Sequence, residues 1–337
     1  MKQTAVVVAP GRGTYNKAEL GYLGTHHPNA RIVAQFDAYR QKLDQSTISA
    51  LDGAAKFSAG THLHGNNASP LIYTCGLLDF GAIDRSRFEI VGVTGNSMGW
   101  YTALACADAL DPTGGFQVAN TMGTLMQEHM IGGQLIYPLV DENWCNVPGR
   151  RDWLLGEIKT ISSQPGQFLG LSIDLGGMLV LAGNEAGLAA FELSAPPILG
   201  RYPMRLPGHA GFHTHLQKPV SKLGFDALPT ELFKQPTLPL IDGRGEIWYP
   251  HSSDIGRLYE YTLGHQVTET FDLSAAIRTA AREFMPDVFI VLGPGNTLGG
   301  AVAQALINCG WRGWKNKSGF RSSNEEKPRL ISLGLSE

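Results

Sequence analysis

One serine lies in a sequence context that can turn a hydroxyl into a nucleophile. The segment Gly95-Asn96-Ser97-Met98-Gly99 has the G-x-S-x-G form and follows directly on an apolar run over 88–94. In this motif a strand ends in a sharp turn that holds the serine out at the top of a sheet, and the glycines give the turn room. An Ala- and Leu-rich segment over 100–110 favours the helix that must follow. The alternative is a chance Gly-Ser turn in an α/β protein, but the order of strand, motif and helix favours a nucleophile.

A serine hydroxyl is a poor nucleophile at neutral pH and needs a base within hydrogen-bond reach. The candidates are four of the ten histidines: His209, His213, His215 and His265. The first three alternate along the chain, and an extended stretch would place all of them on one face. Spacing alone therefore leaves the identity of the base open.

An acyl-enzyme also needs backbone N–H donors aimed at its oxyanion. The residue after the serine, here Met98, supplies one donor in such a turn. The second donor should come from a loop after another strand. Pro10-Gly11-Arg12-Gly13 is the best candidate because its glycines allow close approach, with Arg12 N–H pointing inward. The turn over 293–296 lacks both the full G-x-G-x-x-G spacing and a P-loop lysine, and we interpret it as a packing turn at a helix start.

Composition bounds the class of protein. The 337 residues are 43% hydrophobic and 17% charged, which is typical of a globular protein. The formal net charge of -3 does not favour binding to nucleic acid or to an anionic membrane. The four cysteines are scattered without C-x-x-C spacing, and the histidine pairs at 62/64 and 213/215 have no third ligand nearby, so we predict no metal site. The apolar run over 5–9 is too short for a signal-peptide core or a membrane span, so we expect a cytoplasmic protein.

Short β-branched runs alternate with Ala-rich segments, which is typical of βα units around a mostly parallel sheet. The patterns predict strands over 4–9, 88–94 and 287–292, and helices over 30–45, 69–81, 100–110, 116–130 and 297–307. The tail over 316–329 is polar and charged, and we predict a loose surface segment there.

The segment over 132–207 has a different pattern. It predicts a strand over 134–140, a helix over 150–161, a hairpin of strands 168–173 and 178–182, a helix over 184–193 and a strand over 202–206. This βαββαβ order is the ferredoxin-like arrangement. We therefore predict an α/β fold in which 1–131 and 208–337 form an α/β-hydrolase-like core with a parallel sheet, and 132–207 forms an inserted ferredoxin-like subdomain.

Taken together, these features resemble the malonyl-CoA:acyl-carrier-protein transacylase family, which includes the acyltransferase domains of fatty-acid and polyketide synthases. The resemblance is spread over almost the whole chain. It rests on the order of the segments 10–13, 95–104 and 123–128, the inserted subdomain, and the segments 212–219 and 292–298.

The resemblance implies roles for individual residues. Ser97 matches the acylated nucleophile and His213 the base. Met98 matches a backbone oxyanion donor, while Arg12 stands where the family usually has a glutamine beside the oxyanion hole. The family has no triad carboxylate, and a backbone carbonyl late in the chain orients its histidine. That carbonyl falls within 266–269, which contains Gln266, Val267 and Thr268, and a backbone acceptor is indifferent to side-chain identity.

Departures from the family pattern concern the acyl pocket. Malonyl-specific members pair the malonyl carboxylate with an arginine on the helix after the elbow, but the aligned residue here is Met122, whose thioether cannot do so. An unpaired carboxylate in a buried pocket would cost about 3–5 kcal/mol. Asn96 replaces the usual histidine, and Trp100 replaces a frequent glutamate or glutamine. Together with Phe212, these residues predict a more apolar pocket in which malonyl is not preferred unless Arg12 or another cation replaces the missing arginine.

The resemblance implies an acyltransferase that moves an acyl group from a CoA thioester, through acyl-Ser97, to the phosphopantetheine thiol of an acyl carrier protein. No cofactor, nucleic acid or membrane is expected. An alternative is a hydrolase that releases acyl groups from carrier proteins with the same Ser-His pair. A non-catalytic carrier-protein docking module is disfavoured because Ser97 and His213 are both retained. A lipase or esterase is weaker still, since the ferredoxin-like insertion has no place there.

Overall fold

Two β-sheets and their flanking helices make up the protein in the computed structural model, which describes residues 2–335. The strands are β1 (Gln3–Ala9), β2 (Phe88–Gly95), β3 (Gly133–Pro138), β4 (Leu169–Leu175), β5 (Met178–Gly183), β6 (Met204–Arg205), β7 (Leu240–Ile241), β8 (Ile247–Trp248), β9 (Phe271–Asp272), β10 (Val288–Val291) and β11 (Leu330–Ser332).

The helices include several single turns. They are α1 (Tyr22–His26), α2 (Ile32–Gln41), α3 (Ile48–Asp52), α4 (Ala59–His62), α5 (Gly65–Ala82), α6 (Gly99–Cys106), α7 (Pro112–Glu128), α8 (Arg150–Ser162), α9 (Glu185–Ser194), α10 (Lys218–Ala227), α11 (Ile255–Glu260), α12 (Gln266–Thr268), α13 (Leu273–Glu283), α14 (Thr297–Asn308) and α15 (Lys317–Glu326). A π-helical turn, Tyr261–His265, joins α11 to α12, and 3-10 turns cover Lys17–Glu19, His215–Gln217, Thr230–Leu232 and Trp311–Gly313. No helix within residues 2–335 combines the length and the apolar character needed to cross a membrane.

The larger sheet has the strand order β11-β10-β1-β2-β7-β8, and only β8 runs antiparallel to its neighbour. The valines of β1 are fully buried because helices cover both faces, which explains the unbroken apolar run in the sequence. Parallel strands end at one edge, so the loop after β1 and the turn after β2 emerge side by side. The predicted parallel α/β sheet is confirmed.

The smaller sheet has the order β6-β3-β5-β4-β9, and β4 and β5 form a hairpin through Gly176 and Gly177. Strands and helices from β3 to β6 follow the predicted βαββαβ order. The fifth strand, β9, comes from the core segment and pairs parallel to β4 with Phe271 opposite Ile173. The small sheet therefore extends beyond the predicted boundaries of 132–207.

The prediction of a loose surface segment over 316–329 is wrong. The Asn316 side chain accepts a hydrogen bond of 2.9 Å from Gly319 N and caps α15. Phe320 packs against Trp314, with ring centres 4.9 Å apart, and against Trp144. A single aromatic residue thus anchors an otherwise polar helix, which is too weak a signal to read from composition.

Candidate active site

Ser97 lies in the sharp turn between β2 and α6, with a left-handed φ of 54°. A Cβ atom on Gly95 would collide with the Gly99 carbonyl, and one on Gly99 would collide with the Ala9 carbonyl. Only glycine fits at either position, since the turn folds back on itself and also packs on the end of β1. The elbow predicted from the sequence is therefore present, with the serine at the carboxyl edge of the larger sheet.

The structure brings Ser97 together with His213, which lies 116 residues later. Ser97 Oγ is 2.7 Å from His213 Nε2, and His213 Nδ1 is 2.6 Å from the Gln266 carbonyl oxygen. A carbonyl oxygen can only accept a hydrogen bond, so Nδ1 carries the proton of the neutral ring and Nε2 presents a lone pair. Ser97 Oγ–H therefore donates to Nε2, which is the arrangement that a nucleophile and its base require.

Burial keeps this histidine neutral. Burial lowers the pKa of His213 to about 4, while the hydrogen bond to the Gln266 carbonyl acts in the opposite direction. The ring also packs against Phe271 of β9, with ring centres 5.6 Å apart. The imidazole is thus held as a free base at neutral pH, oriented by a backbone carbonyl.

Gln266 contributes its side chain as well as its carbonyl. Its Nε2 donates a hydrogen bond of 3.0 Å to the Ser97 carbonyl, and the Tyr101 hydroxyl donates to its Oε1 at 3.3 Å. The same residue therefore connects the histidine to the elbow. The Gln266 side chain therefore has contacts of its own, beyond the backbone carbonyl that the resemblance implies. The side chain of Thr268 instead bonds the Gly264 carbonyl.

The other candidate histidines have different surroundings. The His209 Nδ1 bonds Gln134 Oε1 at 2.9 Å, and the exposed His215 packs on Phe168. His265 stacks on Tyr261, with ring centres 5.6 Å apart. No group of three or more His, Cys, Asp or Glu side chains that could hold a metal ion is present within residues 2–335.

The loop after β1 lies directly against the elbow. A Cβ on Gly11 would come within 2.5 Å of the Asn96 carbonyl and 3.4 Å of Ser97 Cβ. Neither the Arg12 amide nor the Met98 amide donates to a backbone carbonyl within the described part of the chain. Both predicted oxyanion donors therefore flank the serine with their N–H groups uncommitted to the backbone.

A cavity of about 320 Å³ opens over the serine, with walls from the small sheet and from the loops that follow β1 and β2. Ile136, Ile173 and Val180 of the small sheet line it together with Met126 of α7. Asn96 and Phe212, two residues of the expected acyl pocket, also line it, as does Val267. The walls are mainly apolar, so an acyl chain bound there is shielded from water.

Two residues predicted in the acyl pocket lie outside the cavity lining. Trp100 is fully buried, and its Nε1 donates to Thr262 Oγ1 at 3.0 Å. Met122 is also fully buried, and its Sδ lies so close to Gly224 of α10 that a Cβ there would come within 2.8 Å. The structure places both side chains in the packing between helices, and Gly123, next to Met122, lines the cavity instead.

Comparison with known proteins gives matches to solved structures. A malonyl-CoA:acyl-carrier-protein transacylase from Synechocystis aligns over 99% of this chain and 98% of its own, at 17% identity with a TM-score of 0.71. The corresponding transacylase from Coxiella burnetii aligns over 99% and 95%, at 18% identity with a TM-score of 0.72. This chain has the transacylase fold.

A third match comes from a type II polyketide synthase. It is a malonyl-transacylase in complex with its acyl-carrier protein, aligned over 100% of this chain and 96% of its own, at 18% identity with a TM-score of 0.70. No family model and no curated protein matches the chain. The resemblance inferred from the sequence therefore holds at the level of the fold.

Proposed function

We propose that the protein is an acyltransferase that carries an acyl group on Ser97 from coenzyme A to an acyl carrier protein. The observation that supports this most directly is the hydrogen-bonded series of Ser97 Oγ, His213 Nε2 and Nδ1, and the Gln266 carbonyl. It lies at the base of a mainly apolar cavity in a chain with the transacylase fold. No carboxylate is needed to orient the ring, since the Gln266 carbonyl accepts the hydrogen bond from His213 Nδ1.

In the first half-reaction, Ser97 Oγ attacks the thioester carbonyl while His213 Nε2 takes the hydroxyl proton. In this proposal the amides of Met98 and Arg12 donate to the oxyanion that forms on the former carbonyl oxygen. Collapse of the tetrahedral intermediate breaks the carbon–sulfur bond. The leaving sulfur receives the proton from His213, and coenzyme A departs as the thiol.

In the second half-reaction, the phosphopantetheine thiol of the carrier protein attacks the acyl-serine. His213 takes the thiol proton and returns it to Ser97 Oγ as the ester bond breaks. Every group in both steps belongs to this chain or to the two substrates, so the proposal includes no metal or cofactor. We also place the reaction in the cytoplasm, because all four cysteines are free, as in a reducing compartment.

The test is intact-protein mass spectrometry of the wild-type protein and a Ser97→Ala variant after incubation with acyl-CoAs, with and without a holo carrier protein. The expected result is an adduct that requires Ser97 and moves to the carrier thiol. An adduct released as free acid faster than it reaches any carrier would identify a hydrolase. Absence of any adduct from every donor would favour a docking module and contradict the acyltransferase.

A further inference from the structure

The guanidinium of Arg12 lies in the wall of the same cavity as Ser97 and is only partly satisfied. Its Nη2 donates to the carbonyls of Leu63 at 2.9 Å and Gly208 at 3.0 Å, and the group lies 5.4 Å from the ring centre of Phe212. Nε and Nη1 are buried and have no acceptor in the described part of the chain. Three of the five N–H groups of this guanidinium therefore have no partner.

Among the described residues, no carboxylate compensates this cation. Within residues 2–335, Arg12 makes no ion pair, and neither Asp nor Glu lines the cavity. Burial, together with the charge of Arg12, lowers the pKa of the neighbouring His209 to about 3, so that ring is neutral. Burial lowers the pKa of Arg12 only to about 10, so the guanidinium stays protonated at neutral pH. The cavity wall thus carries one uncompensated positive charge.

Another buried arginine gives an internal comparison. Arg40 is fully buried and makes no ion pair among residues 2–335. Asn67 and Asn120 accept hydrogen bonds from it, as do the carbonyls of Ser46 and Asn66. The fold thus satisfies four of the five N–H groups of this buried guanidinium with neutral oxygens. Arg12, which lines the cavity, has only two of its five N–H groups satisfied, and a buried donor without a partner is costly unless a ligand supplies the acceptor.

Arg12 lies between the reacting serine and the helix that carries Met122. The preceding residue, Gly11, lies against Ser97, and Nη1 is close enough to Gly65 that a Cβ there would come within 3.3 Å. Gly65 in turn packs on Gly123 of α7 and begins α5, whose N-terminus adds a partial positive charge. An arginine from the loop after β1 therefore reaches the side of the cavity next to the helix that carries Met122.

We propose that Arg12 binds a carboxylate at the far end of the acyl group while the thioester carbonyl reacts at Ser97. The preferred donors are then thioesters of dicarboxylic acids, selected by a cation from the loop after β1. This inference rests on the proposed acyltransferase function. A carboxylate supplies acceptors for the open N–H groups and compensates the charge, whereas a neutral acyl chain leaves both unsatisfied.

The experiment compares rates of Ser97 acylation by malonyl-, succinyl- and glutaryl-CoA with those of the length-matched propionyl-, butyryl- and valeryl-CoA. All six donors carry the same coenzyme A phosphates, so a difference within a pair comes from the acyl carboxylate. We expect at least one dicarboxylic donor to exceed its neutral counterpart by about 100-fold, the size of a lost hydrogen-bonded charge pair. Arg12→Gln should reduce that ratio to below about 10.

Arg85→Gln is the matched control, because Arg85 also lies over an aromatic ring, that of Phe80 at 4.4 Å, but away from the cavity. The ratio of the acylation rates within each donor pair should be the same for Arg85→Gln as for the wild type. A purely structural role of Arg12 would slow both members of each pair and leave the ratio unchanged, which would overturn the inference. So would wild-type protein that shows no preference within any pair.

A binding measurement separates this inference from the acyltransferase proposal. Titration calorimetry with free malonate, succinate and glutarate requires no chemistry at Ser97. We expect binding of at least one dicarboxylate to wild-type and Ser97→Ala protein and its loss in Arg12→Gln. Dicarboxylate binding without any acyl adduct would uphold the site and refute the acyltransferase. No binding of any dicarboxylate, or binding unaffected by Arg12→Gln, would refute the site.

Discussion

The pKa of His213 leads to an unusual pH dependence of acylation. The ring must be neutral to accept the Ser97 proton, and its pKa of about 4 leaves it neutral in mildly acidic solution. At pH 5, roughly 90% of such a histidine is in the basic form, compared with roughly 3% for a histidine at its ordinary value of about 6.5. The rate constant kcat/KM for Ser97 acylation should therefore be almost the same at pH 5 and pH 8, and should fall only as pH approaches 4.

The assay is rapid-quench mass spectrometry of acyl-Ser97 from pH 4 to pH 9. Each donor class is measured separately, since a neutral acyl group does not titrate in this range whereas a terminal carboxylate can. Protein held at pH 5 and returned to pH 8 must recover its full rate, which excludes denaturation as the cause of any loss. A half-maximal rate between pH 6 and pH 7 would show that the ring is hydrated and would refute the argument from burial.

Two further predictions concern hydrogen-bonded side chains. Gln266→Leu keeps the carbonyl that orients the histidine but removes the hydrogen bond to the Ser97 carbonyl, so kcat/KM should fall roughly 10-fold because the elbow is misplaced. Thr268→Val is the control, since it removes a neighbouring hydrogen bond that does not reach Ser97. Equal values of kcat/KM for the two variants would contradict the role assigned to Gln266. Arg40→Met leaves several buried acceptors unpaired and should lower the free energy of unfolding in urea by at least about 3 kcal/mol. A loss no larger than that of Arg85→Met would show that those acceptors find other donors.

Features decided by neighbouring residues could be predicted from the sequence. The elbow is specified within a dozen residues, because strand, turn and helix must all be encoded locally. The βαββαβ order follows from alternating patterns and from the Gly176-Gly177 turn. These local signals predict the longer strands of both sheets but not short ones such as β7, β8 and β9.

Features decided by contacts between distant segments could not be predicted in this way. Successive helical residues are rotated by about 100°, so sequence position on α7 did not reveal that Gly123 faces the cavity while Met122 faces α10. The contact between the Gln266 side chain and Ser97 spans 169 residues and has no local signal. The π-helical turn directly before Gln266 also has no signal in the sequence from which it could be predicted, although such turns are frequent at functional sites.

The pairing of β9 with β4 affects whether the small subdomain can be moved as a unit into another protein. A fragment limited to 132–207 would leave the outer edge of β4 without its partner, and an open edge of this kind promotes association between chains. The missing strand begins at Phe271, which contacts the ring of His213 and lies five residues after Gln266. Transplanting this subdomain to change acyl selectivity would therefore also disturb the alignment of the base. Acyl selectivity and catalytic rate could not be changed independently by such an exchange.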